Sequence, residues 1–546
     1  MTEEGPRRPG LFPSLGLSDA RIHDALALAL CAVALMRAAW LTSDLSWPFG
    51  TDQLRDIAFA ESFARGEWLS DPFFLHEWLW YPPLLPWAVG AASVIAGVPA
   101  SMADVRLGPY LNILSPLALY ALTALWFGRR AALASLAAFL FLDRGPYWLE
   151  PTYTPWLLSG PSSQAILYVG LIALTRAISQ QTRRHWALVG VLLGLAALGH
   201  SAPAVLLGVL AAGASLIEAV TRGRPLRSAE NLLLTSSVAA VVCSPFLVSI
   251  VGHYGLRIRN PAGLLWVDPV VNASAWGLLS DGRWTLTLFA LAMLGLLSRP
   301  AWLGAANRGR GLAISWLTLS LVMFAVHQYE VTMTRAGHPI GLPLFSPPHH
   351  FLYYLRAGLL VSFGAGFVML SEAIARLARH RAARGGGRNR PKAVFALLLG
   401  MLLLVSGAEW SSRADFTLMV RGARDVGAPL EWQALTRWMR NRTSPTDVFF
   451  AADDPALSIV GATGRKVVAL DRFFANPYVD VQPRLLARQM YWNALASGDC
   501  TAARQLALRY GATHVVHARS PEIPPGTCGL ETVFEIPGVR VDQIRD

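Results

Sequence analysis

A cluster of ionisable side chains opens the loop after the first apolar segment: Asp52, Arg55 and Asp56 stand within Thr51-Asp52-Gln53-Leu54-Arg55-Asp56-Ile57-Ala58, about thirty residues before Trp80-Tyr81-Pro82-Pro83-Leu84. A carboxylate can act as a general base, and cations can stabilise negative charge that develops in a reaction. Further along, Glu150-Pro151, with Asp143 as a rival acid, and His349-His350 followed by Arg356 add a second acid, imidazoles and another cation. Ionisable groups near membrane depth are expensive unless paired or set at a wet cavity, so several at one face form a candidate site. Plainer roles stand beside these. Asp52 could cap a helix starting at Gln53, Arg55 and Arg65 could anchor to headgroup phosphates, and the tandem histidines could be a wet helix start.

The elements that position these residues are membrane helices. Of 546 residues 53% are hydrophobic and 15% charged, and runs near the roughly 20 residues needed to span hydrocarbon recur along the chain. Crossings are expected near 23–42, 107–127, 131–149, 158–178, 186–200, 202–220, 230–252, 285–299, 311–327, 351–375 and 393–409, eleven in all. Basic residues then fall on alternate loops: Arg7, Arg8 and Arg21; Arg129 and Arg130; Arg176, Arg183 and Arg184; Arg222, Arg224 and Arg227; Arg299, Arg308 and Arg310; and the stretch from Arg379 to Lys392. Lys and Arg accumulate on the cytoplasmic side, which puts residues 1–22 inside and everything after 410 outside. The net charge of +12 follows from this bias, so no nucleic-acid partner is expected. The run 84–98 is about 15 residues long. Counting it as a crossing would put the later basic loops outside, so it reads as re-entrant or interfacial, leaving 43–106 as one outer loop that includes Arg106.

From residue 411 the pattern changes to an amphipathic helix over 430–439, strands at 447–452 and 466–470, a helix at 501–510 and a strand at 514–518. This reads as a small α/β domain over 411–546, outside the membrane. Cys500 and Cys528 both lie there, where a disulfide or two free thiols are open alternatives, while Cys31 and Cys243 sit in spans. The outer loops 253–284 and 328–348 are rich in Trp, Pro and Gly and long enough to be functional rather than disordered. Trp266 and Trp276 there could stack on a ligand or anchor at the interface. No nucleotide-binding glycine loop, zinc helix or nucleophile elbow is present.

The outer loop resembles that of the GT-C glycosyltransferases, which use polyprenyl-phosphate sugars and include protein O-mannosyltransferases and the lipid A aminoarabinose transferase. The resemblance lies in one span, then an acidic helix (Asp52 to Ala58), Gly66, the aromatic stretch Trp78 to Trp80 and Tyr81-Pro82-Pro83-Leu84, with Glu150-Pro151 where the family has an acid in its next outer loop. Gln53 replaces the family's usual second acid. The resemblance implies transfer of a sugar from a polyprenyl-phosphate donor to a hydroxyl of an extracytoplasmic glycan, lipid or protein by an enzyme integral to the inner membrane. Asp52 would be the base and Glu150 its assistant. Arg55, Tyr81, Arg106, His349, His350 and Arg356 would bind substrate, and Mg²⁺ or Mn²⁺, if used, would sit on Asp52, Glu150 and His349. The alternatives are a flippase for lipid-linked sugars and an inactive envelope scaffold. Acids gathered at one face, with no internal repeat, favour the enzyme. The Arg-rich, Lys-poor composition fits a GC-rich bacterium, though a eukaryotic lumen suits the topology equally.

Overall fold

A computed structural model describes residues 19–142, 145–146, 148–267, 284–297, 307–381, 390–427, 430–518 and 523–545. Asp143, Trp276, Arg7, Arg8 and Arg299, named above, lie outside the described residues.

All eleven expected crossings fall on helices, but the count of eleven does not carry over. Among the described residues seven helices are long and apolar enough to cross a membrane: Ala20–Thr42, Ala100–Phe127, Ser159–Gln180, Ser201–Arg222, Gly309–Arg335, Pro348–Ala378 and Pro391–Ser412. An eighth is added if Pro225–Val242 and Ser244–His253, bent by 75°, form one span. The segment expected at 131–149 is a helix only over Arg129–Phe141. Pro146, Pro151 and Pro155 then hold the chain in an irregular, mostly buried strap, because proline lacks the helical N–H donor. Thirteen residues rise about 20 Å, short of the hydrocarbon thickness. Arg183–Gly199 and Thr285–Leu297 are likewise short of a full span.

In chain order the helices are α1 (Asp19–Thr42), α2 (Thr51–Ala64), α3 (Leu84–Ala96), α4 (Ala100–Asn112), α5 (Leu114–Phe127), α6 (Arg129–Phe141), α7 (Ser159–Gln180), α8 (Arg183–Gly199), α9 (Ser201–Arg222), α10 (Pro225–Val242) and α11 (Ser244–His253). There follow α12 (Thr285–Leu297), α13 (Asn307–Arg335), α14 (Pro348–Arg381) and α15 (Arg390–Ser412). The central member is α14, packed against α6, α12 and α13. Gly364 and Gly366 make that packing close: a Cβ at either would collide with the carbonyl of Ala131 on α6 or of Leu291 on α12. The apolar run after Tyr81 is the 13-residue α3, which packs on α2 and α4 and is too short to count among the spans.

The C-terminal region carries α16 (Leu418–Gly427), α17 (Leu430–Arg442), α18 (Gln482–Ser497) and α19 (Cys500–Tyr510) around a five-stranded sheet. Its strands are β1 (Val448–Phe450), β2 (Lys466–Val467), β3 (Ala512–Ala518), β4 (Glu531–Ile536) and β5 (Val539–Gln543), in the order β2-β1-β3-β5-β4. β1 is parallel to β2 and β3, and the β4–β5 hairpin adds antiparallel to β3. Helices over 430–439 and 501–510 and the strands β1, β2 and β3 were legible in the sequence; α18 and the hairpin were not. Cys500 and Cys528 are joined in a disulfide.

This region is welded to the loop that bears α2. Leu54, Ile57, Phe73, Phe74 and Val89 share one apolar core with Leu435, Met439, Phe449, Val516 and Val541. Polar contacts reinforce it. Val467 N–H donates to the Phe73 carbonyl (2.8 Å) and the Lys466 ammonium to the Asp71 carbonyl (2.7 Å). The Asn476 amide donates to the Asp71 carboxylate (2.9 Å), and Arg440 pairs with Glu61 (2.7 Å). On the other side, the buried Arg413 pairs with Asp415 and donates to Thr152 and the Tyr153 carbonyl, tying the segment after α15 to the strap after α6.

Candidate active site

The helix α2 begins at Thr51 behind Gly50, so Asp52 lies inside the first turn and does not cap it. Its side chain, 55% exposed, pairs with Arg55 one turn on (3.0 Å). The same guanidinium pairs with the buried Asp56 (3.0 Å), donates to the Tyr81 hydroxyl (2.7 Å) and lies over the Tyr81 ring at 3.8 Å from its centroid. Such a division suits arginine, whose planar fork serves several acceptors at once. Tyr81 is held from three sides. Its hydroxyl meets Ser159 Oγ at the head of α7 (2.7 Å), its ring stacks on Phe59 one turn beyond Arg55, and Pro82 restricts its backbone to extended conformations.

The other face of α2 is dry. Gln53 is fully buried and its amide donates to Asp104 of α4 (3.0 Å). An acid at position 53 would set two carboxylates against each other in that place, which gives the glutamine a physical reason. Burial pushes the Asp56 carboxyl up to about 6, opposed by Arg55 and reinforced by Asp52, so it loses its proton only near neutrality. Burial likewise raises the Tyr81 phenol, which stays a neutral hydrogen-bonding group. Oδ2 of Asp56 and Oδ1 of Asp104 are buried without a hydrogen-bond partner among the described residues.

His349 and His350 open α14. Their rings are 4.2 Å apart, His350 lies 4.4 Å from His200 at the start of α9, and Trp266 meets His349 edge-on at 4.9 Å. Nδ1 of His200 accepts from the Ala202 N–H, so this histidine caps α9. His350 faces Gly160, next to Ser159, and Arg55 is near enough for its charge to act on His200 and His350. Thus Asp52, Arg55, Tyr81, His349 and His350 converge around the head of α7.

Two predicted groups go elsewhere. Glu150 and Arg356 are both buried and form an ion pair with each other, Arg356 two turns along α14 from His349. Arg106 donates to the Leu45 carbonyl (3.1 Å), bracing α4 against the end of α1 rather than joining Asp52. Sequence reasoning passed over Asp56 as a partner of Asp52 and missed Asp104, Ser159 and His200. The signals were present: Asp56 lies one turn beyond Asp52 with Arg55 between, Asp104 is an acid at the head of an apolar helix, and His200 separates two apolar runs. As a metal centre the set Asp52, Glu150 and His349 does not fit. Among the described residues no three His, Cys, Asp or Glu side chains are gathered to hold an ion, since Glu150 is engaged by Arg356 and Asp52 by Arg55.

No protein-family model and no curated protein matches the chain. Solved structures do. ArnT from Cupriavidus metallidurans, in its structure bound to undecaprenyl phosphate, aligns over 96% of this chain and 97% of that chain with a TM-score of 0.54 at 14% identity. The chain has the GT-C membrane fold. The arabinofuranosyltransferase AftD from Mycobacteria aligns over 96% of this chain, with a TM-score of 0.56 at 15% identity, and the alignment spans 40% of AftD. With that fold, the seven helices long and apolar enough to cross a membrane among the described residues make this a multi-pass membrane protein.

Proposed function

We propose that the protein transfers a sugar from a polyprenyl-phosphate donor to a hydroxyl group of an acceptor outside the cytoplasmic membrane. The observation that carries this is the group at the head of α2: an exposed Asp52 held at 3.0 Å by an arginine that also grips Asp56 and Tyr81. It sits on a fold shared with an enzyme solved with undecaprenyl phosphate.

In this reading Asp52 accepts the acceptor's hydroxyl proton while the oxygen forms its bond to the anomeric carbon. The bond from that carbon to the phosphate oxygen breaks, and polyprenyl phosphate leaves. Arg55 is the cation for the leaving phosphate, and Tyr81 holds its fork in place. A donor phosphate on Arg55 competes with Asp52 for the guanidinium, so donor binding frees the base. His349 and His350, beside the head of α7, supply further donors to the phosphate or sugar. The Glu150–Arg356 pair holds the strap after α6 against α14 and so places the histidines. The topology that the basic loops predict puts the N-terminus in the cytoplasm and the sheet region over 411–546 outside, above α2.

The test is release of undecaprenyl phosphate from a panel of undecaprenyl-phosphate sugars by wild-type protein and by Asp52→Asn. Release lost in the variant with donor binding kept is the expected result. Release equal in the two proteins removes Asp52 as base, and no release from any donor turns the reading toward a lipid-linked-sugar flippase or a scaffold.

A further inference from the structure

A cavity of about 290 Å³ lies where three segments meet: the loop after α11, the C-terminal end of α13 and the turn between β2 and α18. This is near the lower bound of small-molecule sites. Arg259, Arg335 and Arg472 line it, one from each segment, against a single acid, Asp480. The Asp480 carboxylate is occupied locally, accepting the Gln482 N–H at the start of α18 (3.1 Å). Among the described residues none of the three guanidinium groups pairs with a carboxylate, and Arg472 lies over the Phe473 ring.

The walls are built. Arg259 and Asn260 N–H both donate to the Pro477 carbonyl (2.8 and 2.9 Å), and the Asn260 amide donates to the Arg472 carbonyl (2.8 Å). The loop is therefore pinned to the sheet region through the backbone of Arg259 and Arg472, while all three arginine side chains stand exposed at the rim, the Arg472 guanidinium 5.5 Å from the centroid of the Phe473 ring. Like charges around one concavity repel, so three cations without a counter-ion are set to receive an anion. The bias of Lys and Arg toward the cytoplasmic side also runs against arginines at an outer face. Phe473, 39% exposed, and Leu265 add an apolar wall. The residue after Leu265 is Trp266, whose ring meets His349, so the cavity abuts the candidate active site.

We propose that this cavity binds an anionic oxygen group, phosphate or carboxylate, on the sugar acceptor, with Phe473 against the sugar face. The substrate class is then an acidic glycan or glycolipid. This deepens the transferase reading and rests on it. A membrane lipid headgroup offers the same phosphate chemistry, so the test separates the two sources.

The full chain is placed in phosphatidylcholine nanodiscs and titrated with glucose 6-phosphate, galacturonate and glucose by ligand-observed NMR. Both acids are expected to bind at least about tenfold more tightly than glucose, and each of Arg259→Gln, Arg335→Gln and Arg472→Gln to cost about tenfold. Asp480→Asn is expected to tighten binding of the acids, an arm that a misfolded variant cannot mimic. Equal binding of acid and neutral sugars, or indifference to all four substitutions, overturns the proposal. Loss of glucose 6-phosphate binding when phosphatidylglycerol is added to the discs assigns the cavity to a lipid headgroup and overturns the acceptor assignment; binding that persists there supports it. Undecaprenyl phosphate binding to the same discs reads the donor separately: its absence with acid binding intact counts against the transferase, and the converse counts against the cavity alone.

Discussion

Asp71 offers a pH test of how the sheet region is latched to α2. Its carboxylate is fully buried and accepts the N–H groups of Phe73 (2.8 Å) and Phe74 (3.3 Å) and the Asn476 amide (2.9 Å). Burial pushes its carboxyl up to about 6, opposed by those hydrogen bonds and by Lys466, against an ordinary value of 3.8. A raised acid binds its proton more tightly in the folded state, so its contribution is fully present below about pH 3.8 and is lost as pH rises through about 6. Linkage between these two values gives a loss of about 2 kcal/mol from about pH 4.5 to about pH 7, or about thirtyfold in the opening equilibrium of the junction. Amide hydrogen exchange reads that opening at Phe73, Phe74 and Val467, whose N–H groups are used in the latch. After correction for intrinsic exchange, wild-type protection should fall by that factor across the range, and Asp71→Asn should remove the slope. Protection that rises with pH in the wild type, or the same slope in both proteins, would refute the reasoning.

Three further outcomes are expected. Arg55→Lys keeps one charge but cannot serve Asp52, Asp56 and Tyr81 together; losing one such charge-assisted bond costs about 1.5–3 kcal/mol, so undecaprenyl phosphate release should drop about 10- to 100-fold with thermal stability little changed. Glu150→Ala removes the buried ion pair with Arg356 and should destabilise by about 3–5 kcal/mol, seen as a lower unfolding midpoint in detergent, while Glu150→Leu with Arg356→Met should regain most of it. Cys500→Ser opens a loop of sequence separation 28, worth about 3–4 kcal/mol in the chain-entropy model, and should raise exchange in α19 and β4; wild-type protein under reductant should behave alike.

Much of the membrane region was legible because a span must be apolar over a fixed length. Each expected crossing met a helix, yet 131–149 shows the limit of that signal. Leu142, Trp148 and Leu149 are as apolar as a span requires, but three prolines turn them into a strap, and hydropathy does not register the missing N–H donors. In the sheet region the pattern revealed β1, β2 and β3, whose side chains are largely buried. The hairpin escaped because β4 has a partly exposed, mixed face, as an edge strand does.

Sequence alone determined that the chain is a multi-pass membrane protein with an acid-bearing loop after its first helix, since composition and local spacing carry both. Arg55 faces Asp52 and Asp56 along its own helix, which spacing carries, but only tertiary structure decided which distant groups meet: the Tyr81 hydroxyl, 26 positions on, joins the same guanidinium only in the fold. Glu150 and Arg356 stand 206 positions apart and are neutralised by each other because α14 runs through the centre of the bundle. Residues 259, 335 and 472 share a cavity only once the sheet region docks on the loop after α11. Hydrophobic burial is written into local composition, whereas a charge's partner depends on distances across the fold, which the order of residues does not contain.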